Sequence, residues 1–176
     1  NDVVDFVISD NTFYNMSQGT DPRGILIYGT ATAPKLRNGV IKGNVVDVVG
    51  RHGIAVSNNE KWSIVGNVVT GCQYVGIWAY RSKDISILGN VAYGNGLAVS
   101  PPNQYDFDIN VGDNAAPNVS DTANVVCANN NVERLAIWMC QDVIVAGNNV
   151  KITLHDPGMA VNAQKVNNMI AGVWTP

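Results

Sequence analysis

Two carboxylates, Asp106 and Asp108, stand two residues apart in the segment Y-D-F-D-I-N, a spacing that suits paired-acid chemistry. On one extended strand they point to the same side with Cα atoms about 6.7 Å apart. Carboxylates separated by about 6.5–9.5 Å serve inverting glycoside hydrolysis, one protonating the leaving oxygen while the other activates water. Crowding raises one pKa and makes that residue the acid. Glu133 is a third candidate acid. Trp78, Tyr80 and Trp138 offer flat apolar platforms for sugar rings, with Arg81, Asn110 and His52 placed to meet hydroxyl groups. The competing possibilities are a solvated or cation-holding acid pair, and aromatics that pack under a loop or against a second chain.

These residues belong to a repeating frame that must position them. I-K-G-N-V-V, I-V-G-N-V-V and I-L-G-N-V-A place Asn44, Asn67 and Asn90 at intervals of 23 residues (67 − 44 and 90 − 67). A second phrase keeps step, Gly53-Ile54-Ala55-Val56 and Gly76-Ile77-Trp78-Ala79. A fixed period in this range marks a solenoid. Short apolar runs closed by Gly or Asn, with no 3.6-residue rhythm, make it a solenoid of strands. Asn11, Asn129 and Asn148 extend the ladder less evenly, and Gly172 stands in its place in the last segment. Alternation puts Ile25, Ile27, Ile54, Val56, Ile77, Ala79, Phe107, Ile109, Leu135 and Ile137 inward, and Leu26, Tyr28, Trp78, Tyr80, Asp106, Asp108, Asn110 and Trp138 outward. Cys72 and Cys127 fall at inward positions equivalent to Val49 and Ala146.

The Asn-Val and G-I-x-V phrases resemble the repeat of the right-handed parallel β-helix, pectate-lyase-like superfamily. G-R-H-G-I-A-V-S-N-N is similar to the bodies of bacteriophage tailspikes, and N-V-A-Y-G-N-G to mannuronan C-5 epimerase modules. The fold so implied is all-β, a right-handed parallel β-helix solenoid of about seven coils. The tailspike resemblance implies a homotrimer that binds and cleaves a bacterial surface polysaccharide, located in a virion tail or outside the cell. An extracellular polysaccharide lyase or epimerase is one alternative, and a non-catalytic structural or adhesive fibre module another. Epimerase modules carry Tyr-x-Phe-Asp-Pro-His; Tyr105, Phe107 and Asp108 match it, but Ile109 and Asn110 stand where Pro and His are expected.

Composition fits a β-solenoid. Of 176 residues 46% are hydrophobic and 14% charged, with a net charge of −3, too little and too mixed for a nucleic-acid partner. No run is long and apolar enough for membrane insertion. Three cysteines lack any C-x-x-C spacing, so neither metal nor cofactor is expected. Residues 1–176 are expected to form a single domain, a fragment of a larger protein. The largest departure from the period, Ser100–Thr122, carries Pro101, Pro102 and Pro117 and is the place to expect a projecting loop.

Overall fold

Short Val- and Ile-rich runs, most of them ended by Gly, Asn or Ser, form strands that stack in parallel from coil to coil. The computed structural model describes residues 3–16, 21–29, 36–97, 106–112, 121–155, 160–170 and 173–175. One regular coil is Leu36–Lys42, Val45–Val49 and Ile54–Ser57, and the next is Glu60–Val65, Val68–Thr70 and Ile77–Tyr80. Lys83–Leu88, Val91–Tyr93 and Ile109–Val111 form the coil after that. Each strand pairs with its counterpart one coil away, so the chain is a parallel β-helix with three faces. Asn131–Ile137 runs unbroken around the second corner, pairing with Val91–Tyr93 at one end and Ile109–Val111 at the other, and thereby joins the second and third faces in one sheet. Val173–Thr175 returns antiparallel on Asn168–Ile170.

The interior is a set of in-register columns. Ile41, Ile64, Ile87, Cys127 and Val145 stack on the first face, and Val46, Val69, Ala92, Val132 and Val150 on the second. Ile54, Ile77, Ile109 and Leu135 complete the third. All are within 1% of full burial. Cys72 and Cys127 are inward as expected, but Cys127 pairs with Val145 rather than Ala146.

That one-residue offset has a physical cause at the first corner. Asn11, Asn44, Asn67, Asn90, Asn130, Asn148 and Asn168 form a continuous ladder. The backbone N–H and Nδ2 of each donate to Oδ1 of the next at 2.9–3.1 Å. The residue before each rung is left-handed: Asp10, Gly43, Gly66, Gly89, Asn129, Gly147 and Asn167 have φ between 51° and 62°. Asn tolerates that conformation better than most residues, so in A-N-N the first Asn takes the glycine's part. The rung is therefore Asn130, not Asn129, and in the last coil Asn168, not Gly172.

A second left-handed column lies near the ends of the second-face strands, at Asn15, Val48, Gly71 and Gly94, with φ of 53°, 53°, 65° and 63°. Val48 is the misfit there, because a β-branched side chain is strained at positive φ. It is also 38% exposed, so little burial is lost on replacing it. Val48→Asn is expected to stabilise the fold by about 1 kcal/mol, raising the thermal midpoint by about 2–4 °C. Circular dichroism melts check this, and an unchanged or lowered midpoint would contradict it.

Candidate functional site

The third face carries most of the residues picked out for chemistry, and most of them are covered. Trp78 is 6% exposed; its ring stacks on Tyr80 at 4.1 Å between centroids and packs with Ala55 and Val75, and its Nε1 donates to the Gly112 carbonyl at 2.9 Å. Trp138, 8% exposed, packs edge-on against Phe107 and on Ala136. Asn110 lies between Trp78 and Ala136 in register and is fully buried. Both tryptophans do lie outside the main core, as alternation predicted, but they form no open platform. Tyr80 is half-buried, and only Arg81 of this set is exposed.

The acid pair is corrected more strongly. The strand begins at Ile109, so Asp106-Phe107-Asp108 precede it as a turn and do not alternate. Phe107 accordingly packs outside the core with Trp138. Asp108 is fully buried, its backbone opposing Gly76 at the second corner. Its Oδ1 accepts from Asn95 N and Nδ2, at 3.1 and 2.8 Å, and its Oδ2 from the backbone N–H groups of Glu133 and Arg134, at 3.1 and 2.9 Å. Asn95 Oδ1 in turn accepts from Cys72 N at 3.0 Å, so Cys72, Asn95 and Asp108 make a second ladder in which a carboxylate takes the place of an amide. Burial pushes the Asp108 carboxyl up, against the pull of its Asn95 and Arg134 hydrogen bonds. Asp106 is ion-paired with Arg134, whose guanidinium also donates to the Asn95 carbonyl. The two carboxylates thus pin the returning chain, and both are buried. Tyr105 lies outside the described residues.

Glu133 belongs to another face. Its Oε2 accepts from Gly94 N at 3.1 Å, which places it just beyond Tyr93 on the second face. There Tyr14, Asp47, Thr70 and Tyr93 stand in register on consecutive coils. Tyr14 is 68% and Tyr93 47% exposed, and Thr70 Oγ1 donates to Asp47 Oδ1 between them. Val45, Val68 and Val91 run alongside as an apolar stripe. The row was overlooked because its residues differ in type. The signal was present, since each of the four follows a ladder asparagine by three residues, as does Glu133 after Asn130.

With the coil geometry in hand, the sequence profile of a family described as "Periplasmic copper-binding protein (NosD)" matches residues 2–172. The chain belongs to the NosD family. Its fold is also similar to the A-module of mannuronan C-5 epimerase AlgE6 from Azotobacter vinelandii, with TM-score 0.70 and 19% identity, over 93% of this chain and 46% of that one. The NosD-family chain thus spans about half of that module's length. No curated protein matches it in sequence.

His52 gives this NosD-family fold a pH dependence. Fully buried at the second corner, it packs against Tyr74 and Trp78, at 5.6 and 4.8 Å between ring centroids. Burial first, and then Arg23 and Arg51, lower its pKa from 6.5 to about 3. The unfolded chain therefore binds the proton more tightly. The stability contributed is complete above pH 6.5 and falls as pH drops toward 3, by about 1.4 kcal/mol per pH unit. Urea unfolding at pH 7 and pH 5 is expected to show a loss of about 2 kcal/mol attributable to His52, absent in His52→Phe. An equal loss in the variant would contradict the assignment.

Proposed function

We propose that this chain binds an extracellular polysaccharide lying along the solenoid axis on the second face. The observation that carries the proposal is the exposed row Tyr14, Asp47, Thr70 and Tyr93. Its members repeat at the strand spacing of about 4.8 Å, close to the length of one sugar unit in an extended glycan. The two exposed tyrosine rings offer platforms to the apolar faces of sugars, and Asp47, Thr70 and Glu133 offer partners to hydroxyl groups. Mannuronan, the polysaccharide for which the structurally similar epimerase module is named, belongs to the same ligand class. Binding is favoured over hydrolysis because Asp106 and Asp108 already have structural partners. The epimerase alternative lacks support at Ile109 and Asn110, where that motif has Pro and His.

Copper, named in the family's description, does not fit these residues. Cys72, Cys127 and Cys140 are buried in the core, and burial pushes the Cys72 and Cys127 thiols up to about 12, far from the thiolate a metal needs. Among the described residues no three His, Cys, Asp or Glu side chains converge. The family's description supports a periplasmic or secreted setting, and among the described residues no helix is long and apolar enough to cross a membrane. Neither description is of a phage protein, so the virion tail and the homotrimer are not part of the proposal.

The test is a panel of bacterial polysaccharides screened by affinity electrophoresis. For a glycan that binds, Tyr14→Ala and Tyr93→Ala are each expected to weaken binding by about tenfold, or about 1.4 kcal/mol, with circular dichroism unchanged. Unaltered binding in both variants would contradict the proposal. Release of new reducing ends, abolished by Asp106→Asn, would restore the hydrolase.

A further inference from the structure

The first face carries a polar column of its own. Asn38, Lys61, Asp84, Asn124, Asp142 and Asn162 occupy equivalent places in successive coils, all left-handed with φ between 53° and 60°. Each lies between two in-register neighbours as a one-residue irregularity, and the side chains turn outward. They are also held. Asn124 Nδ2 donates to Asp84 Oδ1 at 2.9 Å, Asn162 Nδ2 to Asp142 Oδ1 at 2.9 Å, and Gln141 Nε2 to Asp142 Oδ2 at 3.0 Å.

Beside the last two members the surface sinks into an open groove of about 430 Å³, lined by Asp142, Ile144, Asn162, Ala163 and Gln164. That volume is in the range of small-ligand sites, about 300–1,000 Å³. The lining combines an apolar floor with amides. Ile144 is 40% exposed and follows Val126 in a register column whose earlier members include Ser63 and Ser86. Gln164 is exposed beside it in register. An exposed aliphatic side chain flanked in the groove by Asp142, Asn162 and Gln164 suits a ligand with one apolar face and a rim of hydroxyls.

We infer that this groove is a second carbohydrate site, separate from the second-face row, and that it takes an uncharged sugar unit. Ile144 lies against the sugar's C–H face. Asp142 accepts from its hydroxyl groups, and the Asn162 and Gln164 amides both donate and accept. Because Asp142 and Asn162 are already fixed by hydrogen bonds, little side-chain freedom is lost on binding. Asp142 is the one charged residue among the described residues of the lining, and its carboxylate disfavours a uronate in the same place.

The experiment is a ¹⁵N NMR titration of the whole chain with maltohexaose, cellohexaose and chitotetraose, and with trigalacturonate as the anionic counterpart. At least one uncharged probe is expected to shift the amides of Ile144, Ala163 and Gln164 at millimolar concentration. Gln164→Ala and Ile144→Thr, both at exposed positions, are expected to weaken it by about tenfold. Asp142→Asn is expected to admit trigalacturonate. No shift at these amides with any uncharged probe, shifts that persist in both variants, or trigalacturonate binding the native chain as tightly as the uncharged probes would each overturn the inference. Tyr93→Ala separates the two sites, since its effect belongs to the second face and leaves the groove's shifts in place.

Discussion

The asparagine ladder at the first corner is the constraint on which the remaining geometry depends. The rungs from Asn44 to Asn148 place a backbone N–H and an amide where water does not reach; the N–H donates to Oδ1 of the neighbouring rung, and the amide to that oxygen and to a backbone carbonyl. An orphaned buried donor costs about 1–3 kcal/mol. A slip of one residue would orphan several at once and would also turn each strand's apolar side chains outward. Register is therefore held tightly along the solenoid. Whatever stands three residues after a rung is delivered to one line on the second face, and the left-handed residues of the first face fall into another.

The same economy of corners explains what became of the acids. In the sequence the 23-residue period is broken after Gly96, and in the structure the third face resumes at Ile109. Asp108 makes that junction by holding Asn95 with one oxygen and the Glu133 and Arg134 N–H groups with the other. An amide there would present its NH₂ to two N–H donors, so a carboxylate is the side chain that fits. Asp106 adds the ion pair with Arg134. These charges fix the chain at the corner where it rejoins the solenoid.

How much of this could be read from the residues differed sharply between fold and site. The parallel β-helix, the rungs Asn44, Asn67 and Asn90, and the inward columns followed from a 23-residue period and two-residue alternation, which are properties of the backbone itself. The rung Asn130 was misplaced because two adjacent asparagines can divide the bend in either order until hydrogen bonds are known, and Asn168 because aligning the last segment with Lys83–Val91 sets Gly172 at the rung. Trp78 and Trp138 were placed on the correct side of the sheet, but alternation distinguishes inside from outside and says nothing of what then covers the outside. His52 and Asn110 were hidden by the same gap. In the Tyr14-to-Tyr93 row only the position three residues after a rung repeats, and residue type does not, so no recurring motif marks it.

Spacing unites the fold with the proposed activity, because a solenoid repeats at nearly the interval of an extended glycan and can offer one contact per sugar unit. Chemical-shift mapping with a polysaccharide fragment that binds tests this most directly. The largest changes are expected along Thr12–Met16, Val45–Val49, Val68–Thr70 and Val91–Tyr93, in coil order. Changes confined to Ile25–Tyr28 and Ile77–Tyr80 on the third face would contradict the account and return attention to the tryptophan side of the molecule.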